Sequence, residues 1–122
     1  MIWNRHITIE GDLSESIHNF INELKSFIGS YNLETERVLK ELRIVLNFFK
    51  MPHIKRALGT EGISDFFIAR IMDLVNLRIA YDKGDIIRKA KRVGYALECV
   101  LNYKNVNVDK VFIIVEAELK KI

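Results

Sequence analysis

Val111-Phe112-Ile113-Ile114-Val115 is the stretch of sequence that decides the fold class, because it is a dense run of β-branched and aromatic residues near the end of the chain. Such side chains favour the extended backbone of a half-buried β-strand. We therefore predict a strand within residues 106–119. Ala117-Glu118-Leu119-Lys120 favours a helix instead. A helical C-terminal segment is thus the alternative.

A second strand is predicted at the other end of the chain. Within residues 2–10, one set of alternate positions faces one side and the other set faces the opposite side, as is typical of a strand that ends at Gly11. The first set is Trp3, Arg5, Ile7 and Ile9, and the second is Asn4, His6, Thr8 and Glu10. Two strands alone are only marginally stable in water. We therefore expect these short N- and C-terminal strands to pair with each other over a helical core, or with the strands of a second copy across a dimer.

Helices are predicted between the two strands, because apolar residues recur there every three or four positions. A short helical turn over 53–58 and a loop at Gly59-Thr60-Glu61-Gly62 interrupt them. The helix after this loop is apolar around nearly its whole circumference, which predicts a central helix covered by its neighbours or by a second copy. The sequence thus predicts an α+β fold, predominantly α, with a four-helix-type core. The four helices cover approximately residues 13–28, 32–51, 64–82 and 85–104.

Length and composition predict one folded domain over residues 1–122. The chain is 49% hydrophobic and 29% charged, which is typical of a globular protein. Its one cysteine excludes a disulfide framework within the chain and favours a reducing, cytoplasmic location. The first residues lack an apolar signal core, and no apolar run approaches the roughly 20 residues that a membrane span requires. We expect a cytoplasmic protein with no membrane contact.

The net charge of +3 is distributed unevenly along the chain. Residues 1–36 contain two cations and six acids, residues 37–92 contain thirteen cations and six acids, and residues 93–122 contain four of each. The positive charge is therefore concentrated in the middle of the sequence. Such asymmetry favours a polyanionic partner, DNA or RNA.

Arg88-Lys89-Ala90-Lys91-Arg92 is the most basic stretch of that middle region, at the start of a helix for which Asp85 is the predicted N-cap. At 100° per residue, most of these cations lie opposite an apolar stripe and share their face with tyrosines. Cations interleaved with aromatic rings suit phosphate contact combined with base stacking. A solvated face without a partner is the alternative interpretation. The candidate nucleic-acid-binding residues are Lys55, Arg56, Arg88, Lys89, Lys91, Arg92, Tyr95 and Tyr103.

No motif in the sequence indicates an enzyme. His6, His18 and His53 lack the spacing of metal ligands, and Cys99 has no neighbouring base in the sequence. Gly59-Thr60-Glu61-Gly62 is not a phosphate-binding loop. We therefore predict a non-enzymatic protein without a metal ion or a cofactor.

Two alternative functions have some support in the sequence. Residues 54–71 resemble the helix-turn-helix of a DNA-binding regulator, although Glu61 falls where an apolar residue is expected and Phe66 where bases would be contacted. Under that hypothesis binding depends on Ser64, Asp65 and Arg70.

The second alternative is a protein–protein interaction subunit. The apolar helix and the terminal strands predict a homodimer, or a subunit of a larger ribonucleoprotein complex. In size and class the chain is similar to the small subunits of CRISPR effector complexes.

Overall fold

The fold is all-α within the part of the chain that the computed structural model describes, residues 12–78 and 82–121. The predicted N-terminal strand, residues 2–10, lies outside these ranges. Five helices follow one another with short connections, and the described residues contain no strand. The helices are α1 (Leu13–Tyr31), α2 (Thr35–Lys50), α3 (Pro52–Met72), α4 (Lys83–Leu101) and α5 (Val108–Leu119).

The prediction of a C-terminal strand is wrong, because the segment forms α5. Asn107 caps this helix, its side chain accepting a hydrogen bond from the backbone N–H of Lys110 at 3.1 Å. The buried positions recur at helical spacing, and their packing against the core outweighs the β propensity of the individual residues. The α+β class is therefore corrected to all-α for the described residues. The buried side chains of α5 are Val108, Val111, Phe112, Val115 and Leu119.

The five helices pack around one core in a closed ring. α4 lies between α1 and α3, α2 lies between α3 and α5, and α5 completes the ring against α1. At four of the five helix–helix seams, the contacts show that the two neighbours are antiparallel, because residue numbers rise along one helix while they fall along the other. These contacts are Tyr31–Asp85 and Ser16–Tyr103 (α1 and α4), Thr60–Asn102 and Ile68–Gly94 (α3 and α4), Glu41–Arg70 and Phe48–Phe66 (α2 and α3), and Lys50–Asp109 and Glu36–Lys120 (α2 and α5).

The fifth seam differs from the others because a ring with an odd number of helices cannot alternate in direction all the way round. α1 and α5 consequently run parallel. In agreement with this direction, Asp12 and Asn107 at the two helix starts line the same cleft, and Lys25 in the second half of α1 acts electrostatically on Glu118 near the end of α5. The seam between α1 and α5 also contains a cleft lined by residues of both helices.

The helix predicted as central, residues 64–82, is not the most enclosed one. α3 ends at Met72, and Phe66 on its outer side is 37% exposed. The chain then turns, with the side chain of Asn76 accepting a hydrogen bond from the backbone N–H of Arg78 at 3.0 Å. The second half of α4 is instead covered on every side. Its buried residues there are Ala96, Leu97, Glu98, Cys99, Val100 and Leu101.

The predicted loop at residues 59–62 is reduced to a single non-helical residue within α3. Gly59 has φ of +66° and ψ of −178°, a backbone conformation that favours glycine. Helix resumes immediately afterwards. α3 is therefore a kinked helix, with segments before and after Gly59.

An ion pair between Glu41 and Arg70 joins α2 to α3. The Arg70 guanidinium donates two hydrogen bonds to the Glu41 carboxylate, Nε to Oε2 at 2.8 Å and Nη2 to Oε1 at 3.1 Å. Glu41 is buried, and the hydrogen bonds from Arg70 lower the pKa of its carboxyl below the ordinary value. A lowered folded-state pKa adds stability above the unfolded-state pKa, and this contribution is lost as the pH falls through the folded value.

We expect Arg70→Met to lower the free energy of unfolding by about 1–2 kcal/mol at pH 7, because the buried carboxylate loses its partner. The loss should shrink near pH 4, where Glu41 in the variant takes up a proton. Urea unfolding at both pH values measures the difference. Arg56→Met, which changes an exposed arginine of the same helix, is the control. Equal losses for Arg70→Met at the two pH values would contradict the assignment.

Candidate nucleic-acid interface

The start of α4 is capped by acids that precede its cations. Asp82, rather than the predicted Asp85, is the N-cap, and its side chain accepts a hydrogen bond from the backbone N–H of Gly84 at 2.8 Å. Asp85 lies in the first turn. Carboxylates at this end of a helix offset the partial positive charge of the unpaired N–H groups. The basic stretch therefore follows an acidic cap.

Arg88 pairs loosely with both of these acids. Its Nη2 lies 3.3 Å from Oδ1 of Asp85 and 4.0 Å from Oδ2 of Asp82, and 67% of its side chain is exposed. Exposed ion pairs of this kind contribute roughly 0–1 kcal/mol each. Exchanging these carboxylates for a phosphate therefore costs the Arg88 guanidinium little free energy.

Lys91 and Arg92 extend the same outward side of α4 by one turn. Arg92 Nε lies 3.4 Å from Oε2 of Glu23 on α1, and its side chain is 69% exposed. Lys91 is exposed and forms no ion pair with any residue in the described ranges. Three exposed cations thus lie within about one helical turn of one another.

Lys89 is turned away from this face, toward the end of α1. Its Nζ lies 3.2 Å from Oδ2 of Asp85, 3.4 Å from Oγ of Ser30 and 5.4 Å from the centroid of the Tyr31 ring. The Tyr31 hydroxyl donates to the same Asp85 oxygen at 2.6 Å. Lys89 therefore fastens α4 to α1, although the sequence placed it with the phosphate-binding candidates.

Burial and the hydrogen bond to Asp85 raise the pKa of Tyr31 to about 12. The Tyr31 hydroxyl and then Lys89, as hydrogen-bond donors, lower the pKa of the Asp85 carboxyl below its ordinary value. The raised pKa of Tyr31 keeps its hydroxyl protonated near neutral pH, and the lowered pKa of Asp85 keeps its carboxylate charged. Asp85, in the first turn of α4, is therefore held in place by α1.

Of the two tyrosines, only Tyr95 lies beside the exposed cations. It is half-buried and follows Arg88 by two helical turns on the same side of α4. Tyr103 lies beyond the end of α4, about 22 Å further along the helix axis than Arg88, and its hydroxyl is 3.3 Å from Oγ of Ser16. Cys99, one helical turn after Tyr95 on the same side of α4, is buried. The outward face therefore ends near Tyr95.

Lys55 and Arg56 are also separated from the α4 cations. They lie in the segment of α3 before Gly59, and Lys55 Nζ is 4.6 Å from the centroid of the Phe49 ring. The hydrogen bond from Thr60 Oγ1 to Asn102 Oδ1, at 2.8 Å, puts this part of α3 beside the end of α4 rather than its start. The eight predicted residues therefore do not form one patch.

No protein family, curated protein or solved structure matches this chain. Within residues 12–78 and 82–121, no group of three or more histidine, cysteine, aspartate or glutamate side chains could hold a metal ion. In the same ranges, no helix combines the length and the apolar character that crossing a membrane requires.

Two of the three residues on which a helix-turn-helix would depend already bind other parts of this protein. Ser64 is buried, and its hydroxyl donates to the backbone carbonyl of Glu61 at 2.9 Å. Arg70 is held by Glu41. Of the three residues on which binding depends under that hypothesis, only Asp65 is exposed without such a partner among the described residues. The described residues therefore do not favour the helix-turn-helix alternative.

The sequence analysis does not predict that acids pair with the cations of α4. A signal was present for Asp85, because it precedes Arg88 and Lys89 at the spacing of helical ion pairs. Glu23 gave no such signal, because only the packing of α1 against α4 brings it to Arg92.

Proposed function

We propose that this protein is a non-enzymatic nucleic-acid-binding protein that contacts phosphates through the outward side of α4. The α4 basic face consists of Arg88, Lys91, Arg92 and Tyr95. The observation that carries the proposal is the large exposure of both guanidinium groups next to an exposed ammonium. A cytoplasmic location belongs to the same proposal, since the chain has one cysteine and a disulfide within it is impossible.

The ion pairs around the α4 basic face are weak enough for its arginines to exchange their acidic partners for the phosphates of a nucleic acid. Arg88 and Arg92 hold their acids at 3.3–4.0 Å with most of each cation in solvent. Neutralising phosphates also releases condensed counterions, which is the main source of sequence-independent affinity. Tyr95 adds a ring beside the cations on which an unpaired base could stack. These features support binding to a backbone rather than recognition of a base sequence.

The test removes the three cations together. We expect Arg88→Gln/Lys91→Gln/Arg92→Gln to bind a labelled oligonucleotide at least about tenfold more weakly, and to lower the slope of log affinity against log salt by about 2–3. Binding of single-stranded and duplex DNA and RNA is measured by fluorescence anisotropy at several salt concentrations. The four probes determine which nucleic acid binds best.

The control is Arg37→Gln/Lys40→Gln/Arg56→Gln, which removes the same charge from exposed residues of α2 and α3. We expect its affinity to stay within about threefold of the unaltered protein, because its cations lie off the α4 basic face. If both variants lost affinity equally, the loss would follow from the lower net charge of the protein and not from the α4 basic face, which would contradict the proposal. Absence of binding by the unaltered protein at low salt would also overturn the proposal.

A further inference from the structure

The parallel seam between α1 and α5 contains a cleft of about 650 Å³. Ile17 and Ile21 of α1 and Val111 of α5 form its apolar floor, and polar side chains surround it. Clefts of this volume normally receive an apolar group. The residues that line its rim are Asp12, Ser14, His18, Asn105, Asn107, Lys110 and Glu118.

An apolar ridge runs beside this cleft on the outer side of α5. Ile113 is 63% exposed, Ile114 is 38% exposed and Ala117 is also exposed. On the other side of the ridge, a smaller cleft of about 200 Å³ lies between α5 and α2, lined by Phe112, Leu46 and neighbouring residues. Adjacent exposed isoleucines between two clefts form a contiguous apolar surface, which is a mark of an interaction site.

We propose that a second copy of this chain docks on this surface, with the two α5 helices antiparallel about a two-fold axis near Ile114. In this arrangement the isoleucine ridges of the two copies pack against each other, and the α1–α5 clefts of the two copies adjoin along one side of the contact. A two-fold interface uses the same patch on both molecules. The α5 ridge suits such an interface because it is apolar at its centre and carries opposite charges at its two ends.

The charges at the two ends of the ridge select a second copy over another partner. Lys110, Ile114 and Glu118 follow one another at four-residue spacing and form one stripe at the edge of the cleft. A two-fold axis at Ile114 brings Lys110 of each copy opposite Glu118 of the other, so that two opposite-charge contacts form at once. Glu118 is already 3.0 Å from Lys121, but that exposed pair is weak and leaves Glu118 able to accept a second cation.

The size of α5 determines which other elements take part. Its 12 residues span about 18 Å, which is too little for the roughly 800 Å² that each partner buries in a stable interface. The flanking surfaces of α1 and α2 must therefore contribute through the two clefts. The α4 basic face lies across the ring from α5, so that docking leaves it uncovered and the inference is independent of the proposed function.

The first test compares two exposed apolar residues of matched accessibility. Ile113→Glu introduces a charge into the ridge, whereas Leu77→Glu, at 64% exposure, does so in the turn after α3. Sedimentation equilibrium over a range of protein concentrations is expected to show a dimer for the unaltered protein and for Leu77→Glu. For Ile113→Glu the dimer dissociation constant should rise at least about thirtyfold. Circular dichroism checks that both variants remain helical.

The second test uses the charged pair. Lys110→Glu should weaken the dimer, and Lys110→Glu/Glu118→Lys should restore it, because reversal of both charges recovers the pairing only if the partner is the same chain. A monomer for the unaltered protein at all accessible concentrations would overturn the inference. Equal behaviour of the Ile113 and Leu77 variants, or failure of the charge reversal to restore the dimer, would also overturn it.

Discussion

Phe67→Ala is expected to lower the free energy of unfolding by about 3–5 kcal/mol. Phe67 is fully buried, and its ring lies 6.2 Å, centroid to centroid, from that of Phe20. Because α1 and α3 are not neighbours in the ring, this contact crosses the interior of the protein. The helices around it are fixed by their other contacts and cannot collapse into the cavity that alanine leaves. The loss is a large share of the roughly 5–15 kcal/mol that stabilises a typical domain.

The adjacent residue provides the control. Phe66 is 37% exposed, and its ring contacts Phe48 at 5.5 Å. Phe66→Ala removes the same atoms from the outer side of α3, so that we expect a loss of about 1 kcal/mol. Urea unfolding followed by circular dichroism compares the two variants. Similar losses would show that the interior of the ring is less densely packed than the Phe20–Phe67 contact indicates.

Gly94→Ala is expected to destabilise the protein by about 1–3 kcal/mol although alanine is the better helix former. A Cβ at this position would lie 2.3 Å from Cδ1 and 2.4 Å from Cγ1 of Ile68, where α3 crosses α4. The close approach of the two helices thus depends on the missing side chain. Ile68→Ala/Gly94→Ala should recover part of the loss, since the smaller side chain on α3 makes room.

Gly29 supplies the matched comparison for Gly94. It lies within α1, and a Cβ there would meet nothing within 4 Å. We expect Gly29→Ala to raise the free energy of unfolding by about 0.5–1 kcal/mol, from helix propensity alone. Thermal and urea unfolding of both alanine variants should give changes of opposite sign. If Gly94→Ala also stabilised the protein, α3 would have to shift easily away from α4 where the two helices cross, which would contradict the expected clash with Ile68.

The sequence predicts helices well where the apolar stripe is local and unambiguous. α1, α2 and α4 follow the expected positions, with their apolar stripes turned to the core. The sequence predicts a helix at α5 only as the alternative to a strand, because the β-branched side chains of 111–115 favour extended backbone. Valine and isoleucine tolerate either backbone, and the spacing of Val111, Val115 and Leu119 is that of a helix.

Other features depend on packing that no local pattern records. α3 stops at Met72 although apolar residues continue beyond it, because the chain turns at Asn76 and leaves Leu77 exposed. In the candidate site, the exposure of Arg88 and Arg92 follows from helical spacing. The inward turn of Lys89 depends on Ser30 and Tyr31 of α1, which sequence alone does not bring near α4.

The closure of the ring between α1 and α5 has a consequence for the order in which the chain folds. α2 and α3 are joined through Met51 alone and contact each other directly, so that this helical hairpin can form as soon as both helices have left the ribosome. α1 is made first, but its main partners are α4 and α5. Much of its apolar face therefore stays uncovered until α4 is synthesised. Nascent chains that stop before α4 are expected to be the most prone to aggregate.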